Sequence, residues 1–255
     1  MISLKSPREI ELMREAGSIV AEVLAVLTEK AVPGITTQEL DTIAEEHIRR
    51  RKAIPAFKNY GGTRSRPPFP ATICASVNEE VVHGIPGRRL LEEGDILSVD
   101  VGACKEGYFG DSAKTIAIGH ITPEAGRLVK VCREALNKAI HKVEPGCKLS
   151  EVSAAVQQYT EANGYSVVRK FVGHGIGTEM HESPQIPNFV SPDATDVILK
   201  PGMTLAIEPM INQGSFRVRT GANGWTVSTA DGMLSAHWEH TVAVTRDGAA
   251  ILTLS

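Results

Sequence analysis

The chain lacks what several protein classes require. Its four cysteines, Cys74, Cys104, Cys132 and Cys147, form no Cys-x-x-Cys pair and follow no regular spacing. That pattern speaks against a disulfide scaffold, and reduced thiols in a cytosol are the expectation. No apolar run reaches ~18 residues, so no membrane span is expected. Neither sign of charge dominates. Lys and Arg number 27 against 30 Asp and Glu, a formal net charge of −3, which argues against a dedicated binder of DNA or other nucleic acid. The first residues, Ile2-Ser3-Leu4-Lys5-Ser6-Pro7, lead directly into a charged helix pattern, with no signal or transit segment expected. No long linker interrupts the 255 residues, 42% of them hydrophobic, so one domain over 1–255 is expected.

What is present repeats itself. Val32-Pro33-Gly34-Ile35-Thr36-Thr37-Gln38-Glu39-Leu40 is echoed by Glu144-Pro145-Gly146-Cys147-Lys148-Leu149-Ser150-Glu151-Val152. Gly94-Asp95-Ile96-Leu97-Ser98-Val99-Asp100 is echoed by Gly202-Met203-Thr204-Leu205-Ala206-Ile207-Glu208. His83-Gly84-Ile85 is echoed by His174-Gly175-Ile176. The order is the same in both halves, which predicts a duplicated unit with pseudo-repeats over about 1–119 and 120–255. The period is too long for a solenoid, whose repeats are ~20–50 residues.

Helix signals open each half. Ser6-Pro7-Arg8-Glu9 and Thr36 with Glu39 are capping boxes, and Ile10, Met13, Val20, Leu24 and Leu27 follow helical spacing. Thr122-Pro123-Glu124 opens a third helix, and Val152, Val156 and Tyr159 lie on a fourth that ends near Gly164. Strands are expected at Thr72–Val77, Asp95–Val101, Lys114–Ile118, Met203–Ile207, Trp225–Thr229 and Thr241–Thr245. Helices cluster apart from strand runs, which predicts an α+β fold with a mainly antiparallel sheet.

Five residues stand in apolar or glycine-rich settings where a lone charge is costly: Asp100, Asp111, His174, Glu208 and Glu239. Asp100 is expected to end a strand and Asp111 to begin its return across a Lys105-Glu106-Gly107 turn, bringing two carboxylates side by side. Bare carboxylates so placed repel, and a divalent cation removes that penalty. The bland alternative is two unrelated acids at hairpin ends. His174 lies in Gly173-His174-Gly175-Ile176-Gly177, read as backbone held open around a ligand. Phosphate binding by these glycines is rejected, because no strand-turn-helix context follows. Glu208 precedes Pro209, where a strand must stop. Period-two alternation puts His237, Glu239 and Thr241 on one face. Four carboxylates and an imidazole suit manganese, iron, cobalt or zinc. Two ions ~3.5–4 Å apart could share bridging carboxylates and activate water for hydrolysis.

These motifs resemble the type I methionine aminopeptidases along essentially the whole chain. The resemblance rests on His83-Gly84-Ile85-Pro86, Val99-Asp100-Val101, Gly110-Asp111, Gly173-His174-Gly175-Ile176-Gly177, His181-Glu182, Ile207-Glu208-Pro209-Met210 and Glu239-His240-Thr241. It implies the pita-bread fold, a pseudo-twofold duplicated α+β unit with a curved antiparallel sheet flanked by helices. It implies two divalent metal ions (Co, Mn, Fe or Zn), with Asp100 on one, His174 and Glu208 on the other, and Asp111 and Glu239 bridging. Glu208 would also move the proton of the attacking water. His83 would contact the substrate near the scissile nitrogen, and His181 would steady the carbonyl oxygen. Tyr60, Phe69, Cys74 and Trp225 match positions of the methionine pocket, and Met180 stands where many relatives carry phenylalanine.

The implied substrates are nascent polypeptides that start with methionine and a small second residue, met by a cytoplasmic monomer. Ribosome contact through Arg49-Arg50-Arg51-Lys52, or through Arg64, Arg66, Arg88 and Arg89, would suit that role. A solvated helix end is the simpler reading of the first run. The rivals are a proline-directed peptidase of the same fold, whose members usually carry an extra N-terminal domain, and a catalytically dead binding module.

Overall fold

Two capped helices open each half of the chain. The computed structural model describes residues 2–64, 66–191 and 196–254; Met1, Ser65 of the Gly61–Pro70 loop, 192–195 and Ser255 lie outside the described residues. Helix α1 (Pro7–Lys30) starts where the Glu9 N–H donates to Ser6 Oγ at 3.4 Å and the Ser6 N–H donates to the Glu9 carboxylate at 2.8 Å. Helix α2 (Thr37–Arg50) repeats the box with Thr36 and Glu39. Helix α3 (Pro123–Ile140) is capped by Thr122. Helix α4 (Leu149–Ala162) ends at Asn163, and the next residue, Gly164, takes the left-handed φ of +83° that a helix stop favours.

Strands β1 (Ile54–Pro55), β2 (Ile73–Val77), β3 (Glu80–Val82), β4 (Ile96–Lys105) and β5 (Tyr108–Ala117) follow the first helix pair. After the second come β6 (Ser166–Val167), β7 (Gly173–Gly175), β8 (Glu182–Ile186), β9 (Thr204–Ile207) and β10 (Met210–Asn212). The last are β11 (Val218–Thr220), β12 (Val227–Thr229), β13 (Ser235–His237), β14 (His240–Thr245) and β15 (Gly248–Ile251). Among the described residues every strand pairing is antiparallel. Two sheets carry the architecture: β1-β4-β2 with β5 on β4, and β15-β14-β9-β7-β8.

Alternation decides which side chains meet. In β4, Leu97, Val99 and Val101 pack under α1 and α2 beside Val20, Leu24, Leu27 and Leu40. Asp100 must then face away from those helices. In β9 and β14, Leu205, Ile207, Val242 and Val244 pack under α3 and α4 beside Leu128, Leu136 and Val156. Ala206 and Ala243 turn the other way, into the apolar cluster around Phe57, Phe69 and Trp225. Each helix pair thus seals one face of its sheet, and the opposite faces are left to each other.

Two local expectations are corrected. Asp100 does not end its strand, and Asp111 does not begin one. The β4–β5 ladder runs from Ile96↔Ala117 to Lys105↔Tyr108, closing on Glu106 and Gly107 at φ +50° and +84°. Such a two-residue turn matches strand twist and lets the pairing continue past both acids. The glycines around His174 do not form an open loop either. They form strand β7, paired on both sides with β8 and β9, and a Cβ at Gly173 or Gly175 would lie 2.3 Å from the carbonyl oxygen of Ala206 or Ser183. Absent side chains let backbones close in.

A similar approach seats α1. A Cβ on Gly17 would lie 2.3 Å from the Leu252 carbonyl oxygen, and one on Gly110 would lie 2.7 Å from the Gly17 nitrogen. Gly17→Ala should therefore cost about 1–3 kcal/mol of stability, read as a lowered denaturant midpoint with unchanged slope. An unchanged midpoint would contradict the packing.

Candidate metal centre

The two sheets deliver their acids to one point. Asp111 pairs with Gly102 and Asp100 with Ala113, so the two carboxylates sit diagonally on the same face of the hairpin. His174 lies opposite Ala206, and Glu208 follows the last residue of β9. Glu239 lies between β13 and β14, not within a strand. Its N–H donates to the Ala113 carbonyl at 2.9 Å, and Ser112 Oγ donates to its carbonyl at 2.5 Å. Thr241 Oγ1 donates to the Asp111 carbonyl at 2.8 Å and accepts from the Asp111 N–H at 3.1 Å. These bonds lace β5 of the first half to the 239–241 segment of the second. They bring Asp111 and Glu239 together.

The histidine is oriented by its backbone. His174 Nδ1 lies 2.8 Å from the Gly175 carbonyl, an acceptor only, so Nδ1 carries the proton. Nε2 then offers its lone pair toward Asp111 at 3.8 Å and Glu208 at 3.6 Å. Burial drops the His174 pKa to about 3, so the ring is a neutral donor of electrons at ordinary pH.

The carboxylates are in the opposite predicament. Burial pushes Asp100 up to about 7, against the lowering effect of a hydrogen bond with Asp111. Burial, then Glu239 and Asp100, raises Asp111 well above the carboxylate range. Burial and like charges do the same to Glu208 and Glu239. Asp100 Oδ1, Asp111 Oδ1 and Glu239 Oε1 are buried with no hydrogen-bond partner. Orphaned anionic oxygens around one imidazole lone pair fit a divalent cation, which supplies both the missing partner and the missing charge. Potential ligand atoms lie within 4.8 Å of one another in two groups, Asp111–His174–Glu239 and Glu208–His237–Glu239. Glu239 belongs to both. Asp100 belongs to neither but lines the same cavity.

His237 was not anticipated as a site residue. Its Nε2 is buried without a hydrogen-bond partner, 3.8 Å from Glu208 Oε2. The alternation that put it on the face of Glu239 was the available signal.

The acids floor a cavity of about 210 Å³ whose other walls are Phe57, Tyr60, Phe69, Cys74 and Trp225, with His83 and His181 between acids and wall. Met180 is buried in the same apolar cluster without lining the cavity. His83 takes an uncommon positive φ of +59° and packs edge-on to Phe171 and Trp225. Burial, with His181 and Arg66 nearby, lowers its pKa to about 4. The loop after Gly61 reaches over the wall. Arg66 stacks 3.7 Å from the centre of the Trp225 ring, and Trp225 Nε1 donates to the Pro67 carbonyl at 3.0 Å. A larger groove of about 760 Å³ lies between α3 and α4, away from these acids.

An acid-rich centre facing an apolar pocket across two neutral histidines is the layout of a metal-dependent hydrolase. The chain belongs to metallopeptidase family M24, whose model matches residues 11–246. A methionine aminopeptidase of Clostridium acetobutylicum is 51% identical over 255 residues, covering 100% of this chain and 99% of that one. The crystal structure of methionine aminopeptidase from Thermotoga maritima superposes with a TM-score of 0.95 at 46% identity, covering 100% of both chains. The Xaa-Pro dipeptidase of Bacillus anthracis shares the fold with a TM-score of 0.78 at 23% identity, and 62% of its length is covered. The architecture is the pita-bread fold of these peptidases.

The orphaned oxygens make a direct prediction. Chelator-treated protein titrated with Mn²⁺, Co²⁺ or Zn²⁺ should show a rising melting temperature, equivalent to about 2.7 kcal/mol at one hundred times the dissociation constant. A flat response to all three would remove the metal assignment.

Proposed function

We propose that the protein removes the N-terminal methionine from peptides and nascent chains by hydrolysis at a centre holding two divalent ions. The observation that supports this most is the buried carboxylate cluster with its orphaned oxygens, beside an apolar cavity sized for one side chain, in a chain 51% identical to a methionine aminopeptidase. Asp100, Asp111, His174, Glu208 and Glu239 would hold the ions, with Asp111 and Glu239 shared. When bound, such ions lower the pKa of water and polarise a carbonyl. Cobalt, manganese, iron and zinc all suit the donors.

The chain's own groups do the rest. The apolar wall of Phe69, Cys74 and Trp225 would take the methionine side chain, with Tyr60 at its edge. Glu208, at the cavity beside the other acids, would accept a proton from the attacking water and return it to the leaving amine. His83, kept neutral by burial, would meet the scissile nitrogen. His181 would donate to the carbonyl oxygen as negative charge develops there.

We place this activity in a cytoplasmic monomer built as one catalytic domain of two pseudo-repeats, about 1–119 and 120–255. No helix of the described residues is long and apolar enough to cross a membrane. Ribosome contact through Arg49-Arg50-Arg51-Lys52 would suit this role; within that run Arg49 pairs with Glu45 at 2.7 Å, and Arg51 pairs with Glu22. Arg66 is likewise committed to the Trp225 wall.

Metal-loaded protein should cleave Met-Gly peptides at least ~10-fold faster than Xaa-Pro peptides; faster Xaa-Pro cleavage would transfer the assignment to the proline-directed relatives. Asp111→Asn should abolish turnover, a loss of ~100-fold or more, while the protein stays folded. Turnover like the wild type would remove Asp111 from the centre. His83→Ala should lower turnover more than metal content, and equal losses would place His83 on the metal.

A further inference from the structure

We propose that Tyr60 is a positioning residue: its hydroxyl donates to Nδ1 of His181, which fixes the imidazole as the Nε2–H tautomer and aims that N–H at the carbonyl oxygen of the bond being cut. The inference rests on the role given above to His181 and deepens it. The family resemblance implies a place for Tyr60 in the methionine pocket, a role its ring alone could fill. The structure gives its hydroxyl a partner instead, 2.6 Å from His181 Nδ1, with the two rings stacked 5.2 Å apart at 25°.

Both partners are held so that this contact is reproducible. The Tyr60 N–H donates to the Phe57 carbonyl, and the Phe69 N–H donates to the Tyr60 carbonyl, each at 2.9 Å. On the other side, Glu182 anchors the backbone next to His181. Its carboxylate accepts from the N–H groups of Thr178 at 2.9 Å and Glu179 at 3.3 Å, and pairs with the buried Lys5. The His181 ring also meets the His174 ring, tilted by 40° at a centroid distance of 4.1 Å. Its backbone and two neighbouring rings therefore constrain it. What remains free is which nitrogen carries the proton.

A neutral imidazole has one N–H and one lone pair. The phenol is the stronger donor of the two partners, and burial, aided by Glu179 and Asp111, raises its pKa and keeps it protonated. Donation from Tyr60 occupies the Nδ1 lone pair and leaves the proton on Nε2. Without the hydroxyl the two tautomers would compete, and half-productive molecules would present a lone pair to a developing oxyanion. A donor already aimed where charge appears needs no reorganisation at the moment of reaction.

The test is Tyr60→Phe, which keeps the ring and removes the hydroxyl. In ¹⁵N spectra of histidine-labelled, metal-free protein, with His181 assigned from the His181→Gln variant, the wild type should show an unprotonated Nδ1 and a protonated Nε2. Tyr60→Phe should shift both signals toward a tautomer mixture. With Met-Gly peptides and metal-loaded enzyme, Tyr60→Phe should lower kcat about tenfold while KM stays within about twofold, the value of one well-placed hydrogen bond. In the His181→Gln background the same change should add nothing further. Three results would overturn the proposal: an unchanged ¹⁵N pattern, a raised KM at constant kcat, or independent losses in the double variant. Should the wild type cleave no Met-Gly peptide at all, the functional reading fails, while the spectra still decide the hydrogen bond.

Discussion

Four carboxylates occupy one buried cavity, and the architecture is organised around the cost of placing them there. Each is desolvated, and neighbouring like charges raise the proton affinity of Asp111, Glu208 and Glu239 further. No lysine or arginine forms an ion pair with any of the four among the described residues; the charged-group contacts there are with His174 and His237, both held neutral by burial. The cluster is thus electrostatically incomplete by itself. Divalent cations would convert that mutual repulsion into shared attraction, and the same incompleteness that penalises the bare fold would make it bind metal.

Holding such groups in place falls to backbone and hydroxyl contacts, because charged partners are absent. Ser112, Thr115 and Thr241 bond to main-chain atoms across the two halves, with Thr115 Oγ1 2.9 Å from both the carbonyl and the N–H of His237. Glycines at 173 and 175 let the strands approach until no Cβ would fit. The helices stand on the outer faces and contribute nothing to the site directly. They supply the apolar burial, about 1.5–3 kcal/mol for each fully covered Leu or Ile, that offsets an uncomfortable centre.

Around the acids the histidines divide by their second nitrogen. His174 is fixed by a carbonyl oxygen, so its lone pair faces the carboxylates. His181 Nδ1 is met by the Tyr60 hydroxyl, which on the proposal above would leave the N–H on Nε2. His237 has no partner at Nε2 beyond the nearby Glu208. Three chemically identical rings acquire three settings from what touches one atom of each.

Much of this was legible in residue order. The capping boxes at Ser6 and Thr36, the hairpin spacing of Asp100 and Asp111, and the stop at Glu208-Pro209 depend on local chemistry, and local chemistry is written in neighbouring residues. Alternation also puts Asp100 on the face of β4 opposite Val99 and Val101. Tertiary structure decided the rest. It carried β4 and β5 past their acids, made a strand of the glycines around His174, drew His237 to Glu208, laid Arg66 on Trp225 and brought the Tyr60 hydroxyl against His181. These outcomes depend on register and on distant backbones closing to contact, which no local period encodes. The sequence by itself determined which residue types are available to hold a metal and that the Asp100–Asp111 hairpin forms; only the packing of two sheets, each sealed on its other side by helices, decided which faces meet.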